Sequence, residues 1–292
     1  MPKSTSDRKP FLDKILKSGK KTLVMGILNI TPDSFFDGNQ YFNNVDKAVT
    51  RTNKMIEEGA DIIDIGGEST RPGSRSVSAQ EELDRVLPVL QAIRKRNREI
   101  IISIDTYKSK VAETALENGA DLVNSLSGFR FDKKLADVVA RHMVPIVIYH
   151  IRGEPRSMQT GQIKYDNLLK EITDFFKEQM TFGIKRGIKK SSFILDPGIG
   201  FGKTVEQNLE IIKNFSRLKK LGRPLLVGVS RKSHLGAILK EELKLNHIPG
   251  PDDRLEAGLA ETGFAVLAGA KIVRTHDVLP TKKFLAVIDR LR

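Results

Sequence analysis

From residue 23 onward, short apolar runs alternate with longer stretches of helical periodicity. The runs are 23-LVMGILNI, 61-DIIDIGG, 100-IIISIDT, 122-LVNSLS, 145-PIVIYH, 193-FILDPG, 225-LLVGVS and 271-KIVRTHD. They are rich in β-branched residues and continuously apolar, as expected for parallel strands covered on both faces. Between them, stretches such as 45-VDKAVTRTNKMIEEG, 80-QEELDRVLPVLQAIRKR, 108-KSKVAETALENG and 166-DNLLKEITDFFKEQMTFGIKRG carry the spacing of helices with one buried face. Eight strand–helix units in about 270 residues predict a single α/β domain, a (β/α)8 TIM barrel over residues 23–292. An open doubly wound sheet is the structural alternative.

A weak repeat agrees with the barrel. Gly-Ala, a polar residue and two apolar ones recur at 59-GADIID, 119-GADLVN and 269-GAKIVR. Glycine there suits a helix C-terminus, where a positive φ is needed before the chain turns into a strand.

The polar residues that close these runs change the picture. Asn29, Asp64, Asp105, Asn124, Asp196, Ser230, Arg274 and His276 stand at or near the ends of seven of them. In a parallel barrel those ends converge on one mouth, where the βα loops build the active site. The first two loops, 31-TPDSFFDGNQYFN and 68-ESTRPGSRSVSAQ, are long and hold hydroxyls and a guanidinium suited to an anion. Turn chemistry alone also accounts for their Pro-Asp and Pro-Gly pairs. The glycine-rich 196-DPGIGFGKT fails both nucleotide-loop templates, because Pro197 and Lys203 stand where glycines are required. Its glycines are expected to let backbone approach a flat ligand beside Phe201.

Composition narrows the chemistry. The absence of cysteine excludes disulfides, thiolate catalysis and sulfur-ligated metal. The net charge of +13 invites an anionic partner. Five of those charges fall in a basic N-terminal segment, residues 1–22, where a solvated surface is the plain reading. Aromatic residues are only 6% and tryptophan is absent, so no face interleaves rings with bases as an RNA-binding protein would. The N-terminus has no signal-like apolar region and no run is long enough to span a bilayer, so a cytoplasmic protein is expected, with no nucleic-acid or membrane partner. The amphipathic 279-LPTKKFLAVIDRLR reads as a last helix packed on the barrel.

Taken together, 25-MGILNITPDSFFDG, 61-DIIDIGGESTRPGS, 102-ISIDTYKS, 123-VNSLSG, 195-LDPGIGFGKT, 228-GVSRKS and 273-VRTHD resemble the dihydropteroate synthases, in that family's order over about 250 residues. The resemblance implies the same barrel and a transferase of folate biosynthesis. That reaction condenses 6-hydroxymethyl-7,8-dihydropterin diphosphate with p-aminobenzoate to give 7,8-dihydropteroate and pyrophosphate. It further implies that Asp105, Asn124, Asp196 and Lys232 bind the pterin ring, with Gly200 and Phe201 against its face. By the same resemblance Asn29 binds Mg2+, Thr70, Arg71, Arg274 and His276 meet the diphosphate, and Thr275 is a further substrate-binding residue. Pro72, Lys232 and Ser233 frame the p-aminobenzoate pocket, and the chain pairs as a homodimer. The catalytic set is then Arg71, Asp105, Asp196, Lys232, Arg274 and His276.

Two related readings compete: a pterin-binding methyltransferase domain of the corrinoid kind, and a catalytically weak paralogue. The former should lack S-T-R-P-G and S-R-K-S, and both motifs are intact. Three positions depart from the family pattern. Phe36 stands where small residues are common, and Tyr149 and Ile151 stand where methionines are common. Tyr149 is expected either to reshape the floor of the pterin site or to be a satisfied core group. His142, His150, His234 and His247 are expected to be structural.

Overall fold

The computed structural model describes residues 21–31, 44–70, 73–155, 157–159 and 163–292. Phe36, Arg71, Pro72, most of the basic N-terminal segment and most of the first long loop lie outside the described residues.

Eight strands close into one parallel barrel in sequence order: β1 (Leu23–Asn29), β2 (Ile62–Gly66), β3 (Ile101–Asp105), β4 (Leu122–Leu126), β5 (Ile146–Tyr149), β6 (Phe193–Asp196), β7 (Leu225–Val227) and β8 (Ala270–Thr275). All neighbours, including β1 with β8, pair in parallel. The open-sheet alternative is therefore excluded. The main helices are α1 (Val45–Glu57), α2 (Ala79–Arg96), α3 (Ser109–Glu117), α4 (Leu135–His142), α5 (Leu168–Ile184), α6 (Val205–Lys213), α7 (Ser233–Glu242), α8 (Leu255–Leu267) and α9 (Val278–Leu291). Gly59, Gly119 and Gly269 all have positive φ where the repeat required it.

Two apolar layers hold the barrel. The larger lies between sheet and helices and includes Ile63, Ile65, Val86, Leu90, Phe129, Phe176 and Phe193, all fully buried. The inner plug comprises Leu23, Met25, Ile62, Ile101, Leu122, Val147, Ile194, Leu226 and Ile272. Because side chains alternate along a strand, residues two positions beyond this plug also point inward, one layer nearer the mouth. Those residues include Asp64, Ser103, Asn124, Tyr149, Asp196 and Arg274, with Ile27 and Gly228 completing the layer. The two-residue period thus converts an apolar plug at one level into a largely polar layer at the next. At the opposite end, Arg94 on α2 ties the segments before β3 and β4 together by donating to Asp121 and to the carbonyls of Ile100 and Gly119.

Candidate active site at the barrel mouth

A cavity of about 620 Å³ opens at the C-terminal ends of the strands. This lies within the usual range of roughly 300–1,000 Å³ for small-molecule sites. Its wall brings together Asn29, Thr70, Asp105, Asn124, Asp196, Gly200, Phe201, Lys232, Ser233, Arg274 and His276.

Two of the expected residues are elsewhere. Asp64 is fully buried beneath the cavity, not at a loop end. Thr275 faces away, because it is one position out of phase with the inward residues Arg274 and His276. Its hydroxyl accepts from the Asp277 amide and the Thr281 hydroxyl, so the expected substrate contact is corrected to a structural role.

Arg274 ties the floor together. Its Nε donates to Asp64 Oδ2 at 2.6 Å and its Nη2 to Asp105 Oδ2 at 2.8 Å. Asn124 Nδ2 donates to the same Asp64 oxygen at 3.0 Å. Burial, then the neighbouring Asp64, pushes the Asp105 carboxyl up to about 7, with Arg274 opposing. The two carboxylates in turn raise the Arg274 guanidinium above its already high range, against the effect of burial. Arg274 is therefore already bound to two carboxylates in the free protein, through Nε and Nη2.

Across the cavity, burial raises Asp196 to about 6, opposed by the Gly198 amide that donates to its Oδ1 at 2.7 Å. Burial, with Arg274 nearby, lowers Lys232 to about 8. Its ammonium lies 3.9 Å from the centroid of the Phe201 ring, a cation–π contact. The preceding Arg231 adopts a positive φ of 62°, rare for a residue with a Cβ. Asp277 holds it there by two hydrogen bonds, which sets the direction in which Lys232 leaves the chain. Ser230 Oγ lies 3.1 Å from His276 Nδ1, and Arg51 donates to the His276 carbonyl.

The loop 197–203 corrects another expectation. A Cβ on Gly198 would fall 1.8 Å from the His150 carbonyl oxygen, and one on Gly202 2.5 Å from that of Arg152. These glycines let the loop dovetail into the chain after β5; of the three, only Gly200 borders the cavity. Lys203 fastens the loop from below, donating to the carbonyls of Gly198 and Phe201 and lying 3.0 Å from His150 Nδ1. Burial lowers Lys203 to about 7 and holds His150 well below the usual imidazole range.

Several wall residues have no role assigned from the sequence, among them Glu68, Gln159 and Arg254, while Thr31 comes from the first long loop. Lys108 and Tyr107 both donate to Glu68, pinning the start of the second long loop. The position of Glu68 directly before S-T-R-P-G was an available signal. Arg254 belongs to no motif, and only the packing of the segment before α8 brings it to the wall.

The pterin binding enzyme family matches residues 25–276. The chain belongs to the pterin-binding enzyme family. It is 46% identical over 273 residues to the dihydropteroate synthase of Synechocystis sp., covering 94% of this chain and 91% of that one. Among solved structures it is similar to Yersinia pestis dihydropteroate synthase in complex with a sulfonamide drug, with TM-score 0.86 and 38% identity over 93% of this chain and 94% of that one. The Clostridium difficile dihydropteroate synthase, solved in the presence of pteroic acid, matches with TM-score 0.84 and 43% identity over 94% and 98% of the two chains. The function supported for this pterin-binding enzyme is that of a dihydropteroate synthase, a transferase of folate biosynthesis.

Proposed function

We propose that this cavity joins 6-hydroxymethyl-7,8-dihydropterin diphosphate to p-aminobenzoate, within a catalytic domain spanning residues 23–292. The supporting observation is the convergence on one cavity of Asp105, Asn124, Asp196 and Lys232 beside the Phe201 ring. A pterin edge carries N–H donors, ring nitrogens and a carbonyl. Two carboxylates accept from the donors, while an amide and an ammonium meet the acceptors, each charged contact contributing about 1.5–3 kcal/mol. Gly200 and Phe201 border the flat face. Ser233, Lys232 and Pro72 frame the arylamine, and Thr70, Arg71, Arg274 and His276 receive the diphosphate.

No protein nucleophile is required. The C–O bond breaks, pyrophosphate leaves with the electron pair, and a pterin methylene cation remains. The arylamine nitrogen attacks that carbon and afterwards loses a proton. Asp105 and Asp196 stabilise the cation, while the mouth cations stabilise the growing charge on the leaving group. A unit charge pair at 4 Å contributes roughly 4 kcal/mol at an effective dielectric near 20, so two or three such contacts matter.

Asn29 fits the role of a Mg2+ ligand. It offers one hard oxygen on the cavity wall, beside Gly66. Mg2+ commonly retains water and substrate oxygens, so a single protein ligand suffices, and the bound ion would supply positive charge to the diphosphate. Among the described residues, the one group of three acidic or histidine side chains with ligand atoms close enough to share a metal ion is Glu113, Glu117 and His142, carried by the outer helices α3 and α4.

Pyrophosphate release from the pterin diphosphate tests the reading. Release should require p-aminobenzoate and stop when EDTA removes the metal. A chain that releases none under any condition is not a synthase.

We further propose a cytoplasmic homodimer. No described helix is long and apolar enough to cross a membrane. The adjacent helices α8 and α9 expose Phe264 (70%), Leu267 (50%), Val287 (61%) and Leu291 (70%), a run of large apolar side chains that a second copy would cover. Sedimentation of the wild type should give a dimer, and Phe264→Glu should shift it to monomer at micromolar concentration. A monomeric wild type would overturn this assignment.

A further inference from the structure

Tyr149 is a position at which the family resemblance weakens, yet it is embedded in the cavity floor. Alternation along β5 turns it inward with Val147, and its ring packs against Phe201 at 5.3 Å between centroids. Its hydroxyl donates to Asp105 Oδ1 at 3.1 Å, while Arg274 donates to Oδ2 of the same carboxylate. Hydrogen bonds then run from Tyr149 through Asp105, Arg274 and Asp64 to Asn124, drawing on β5, β3, β8, β2 and β4. A merely satisfied phenol needs only one nearby carbonyl. This one instead completes the coordination of a carboxylate on the cavity wall.

We propose that Tyr149 is a positioning residue for the pterin, its hydroxyl fixing one oxygen of Asp105 while Arg274 fixes the other, so that the carboxylate meets the pterin N–H groups in a set direction. The inference rests on the synthase reading above.

The charged groups acting on Asp105 are Asp64 from β2, Arg274 from β8, Glu82 from α2 and Lys232 at the start of α7. Ionised, Asp105 accepts through both oxygens and with full charge, whereas protonation turns one oxygen into a donor, so pterin affinity is greatest above its pKa of about 7 and declines as pH falls through it. The phenol hydrogen bond lowers that value, and its removal moves the acid limb of kcat/KM to higher pH.

Tyr149→Phe should move the limb up by about one unit and lower kcat/KM for the pterin diphosphate about tenfold at neutral pH, the size of one hydrogen bond to a charged group. The KM for p-aminobenzoate should be unchanged. Tyr149→Met, which also lacks the hydroxyl, should behave alike, so either variant decides if the other fails to fold. Pterin diphosphate binding, followed by fluorescence against pH in wild type and variants, should show the same shift without turnover. Wild-type binding without turnover would remove the synthase reading alone. A wild-type acid limb and pterin affinity in a folded variant would overturn the role of Tyr149.

Discussion

Replacing Arg274 with alanine is expected to lower turnover by about a hundredfold to a thousandfold and to weaken pterin binding as well. The first effect follows from losing a cation that can meet the leaving diphosphate, since removal of one such preorganised donor commonly costs 10²–10³ in rate. The second follows from what Arg274 holds in the free protein. Its guanidinium bridges Asp64, which is fully buried, and Asp105, which is already raised to about 7. Without it, two carboxylates share a site with Lys232 as the remaining countercharge. Breaking a buried pair by removing one partner commonly costs about 3–5 kcal/mol. The chain relieves part of that cost by taking up a proton, and Asp105 is then neutral at pH 7. A neutral carboxyl no longer serves two pterin donors as a carboxylate does. Arg274→Lys keeps the charge but not the fork that reaches two carboxylates, so it should fall between wild type and alanine. Calorimetric titration with the pterin, beside the pyrophosphate assay, measures both losses. Undiminished pterin affinity in Arg274→Ala would show that the bridge does not hold the site.

The expected loss of pterin binding is not readable from the strand ends alone. The barrel was legible because eight β-branched runs separated by helical spacing have few other solutions, and the mouth because Asp105, Asn124, Asp196 and Arg274 end their runs on polar groups. The pairing of Arg274 with Asp64 and Asp105 was not legible, since those residues are 210 and 169 positions away and meet only through closure of β8 onto β1. Thr275 was misjudged because motif membership says nothing of phase, whereas the barrel sends alternate residues of β8 to opposite faces. The +13 charge was similarly coarse. The cations that matter at the described mouth are Lys232 and Arg274, and burial lowers Lys232 to about 8, so its charge is lost as pH rises through that value.

The glycine loop yields the sharpest structural test. Gly198→Ala is expected to lower stability by roughly 2–4 kcal/mol, combining strain at a left-handed position with overpacking. For a chain of this size that is a fall in Tm of roughly 5–10 °C. Gly198 has φ +70°, and its Cβ would lie 1.8 Å from the His150 carbonyl oxygen, a backbone atom that no rotamer change can move. Either the loop or the chain leaving β5 must shift. The Gly198 amide caps Asp196, its carbonyl receives both the Phe201 amide and the Lys203 ammonium, and His150 N donates to the Asp196 carbonyl. A displacement large enough to relieve the clash therefore moves Asp196 and Phe201 together, and activity should drop more than tenfold. Gly222→Ala is the control: its φ of +66° imposes similar strain, but nothing lies within 4 Å of the added carbon. It should cost only about 1–2 kcal/mol and leave the pyrophosphate assay unchanged. Equal melting temperatures and equal activities in the two variants would mean that the loop and the chain after β5 are not locked together, and that Asp196 owes its position to the strand alone.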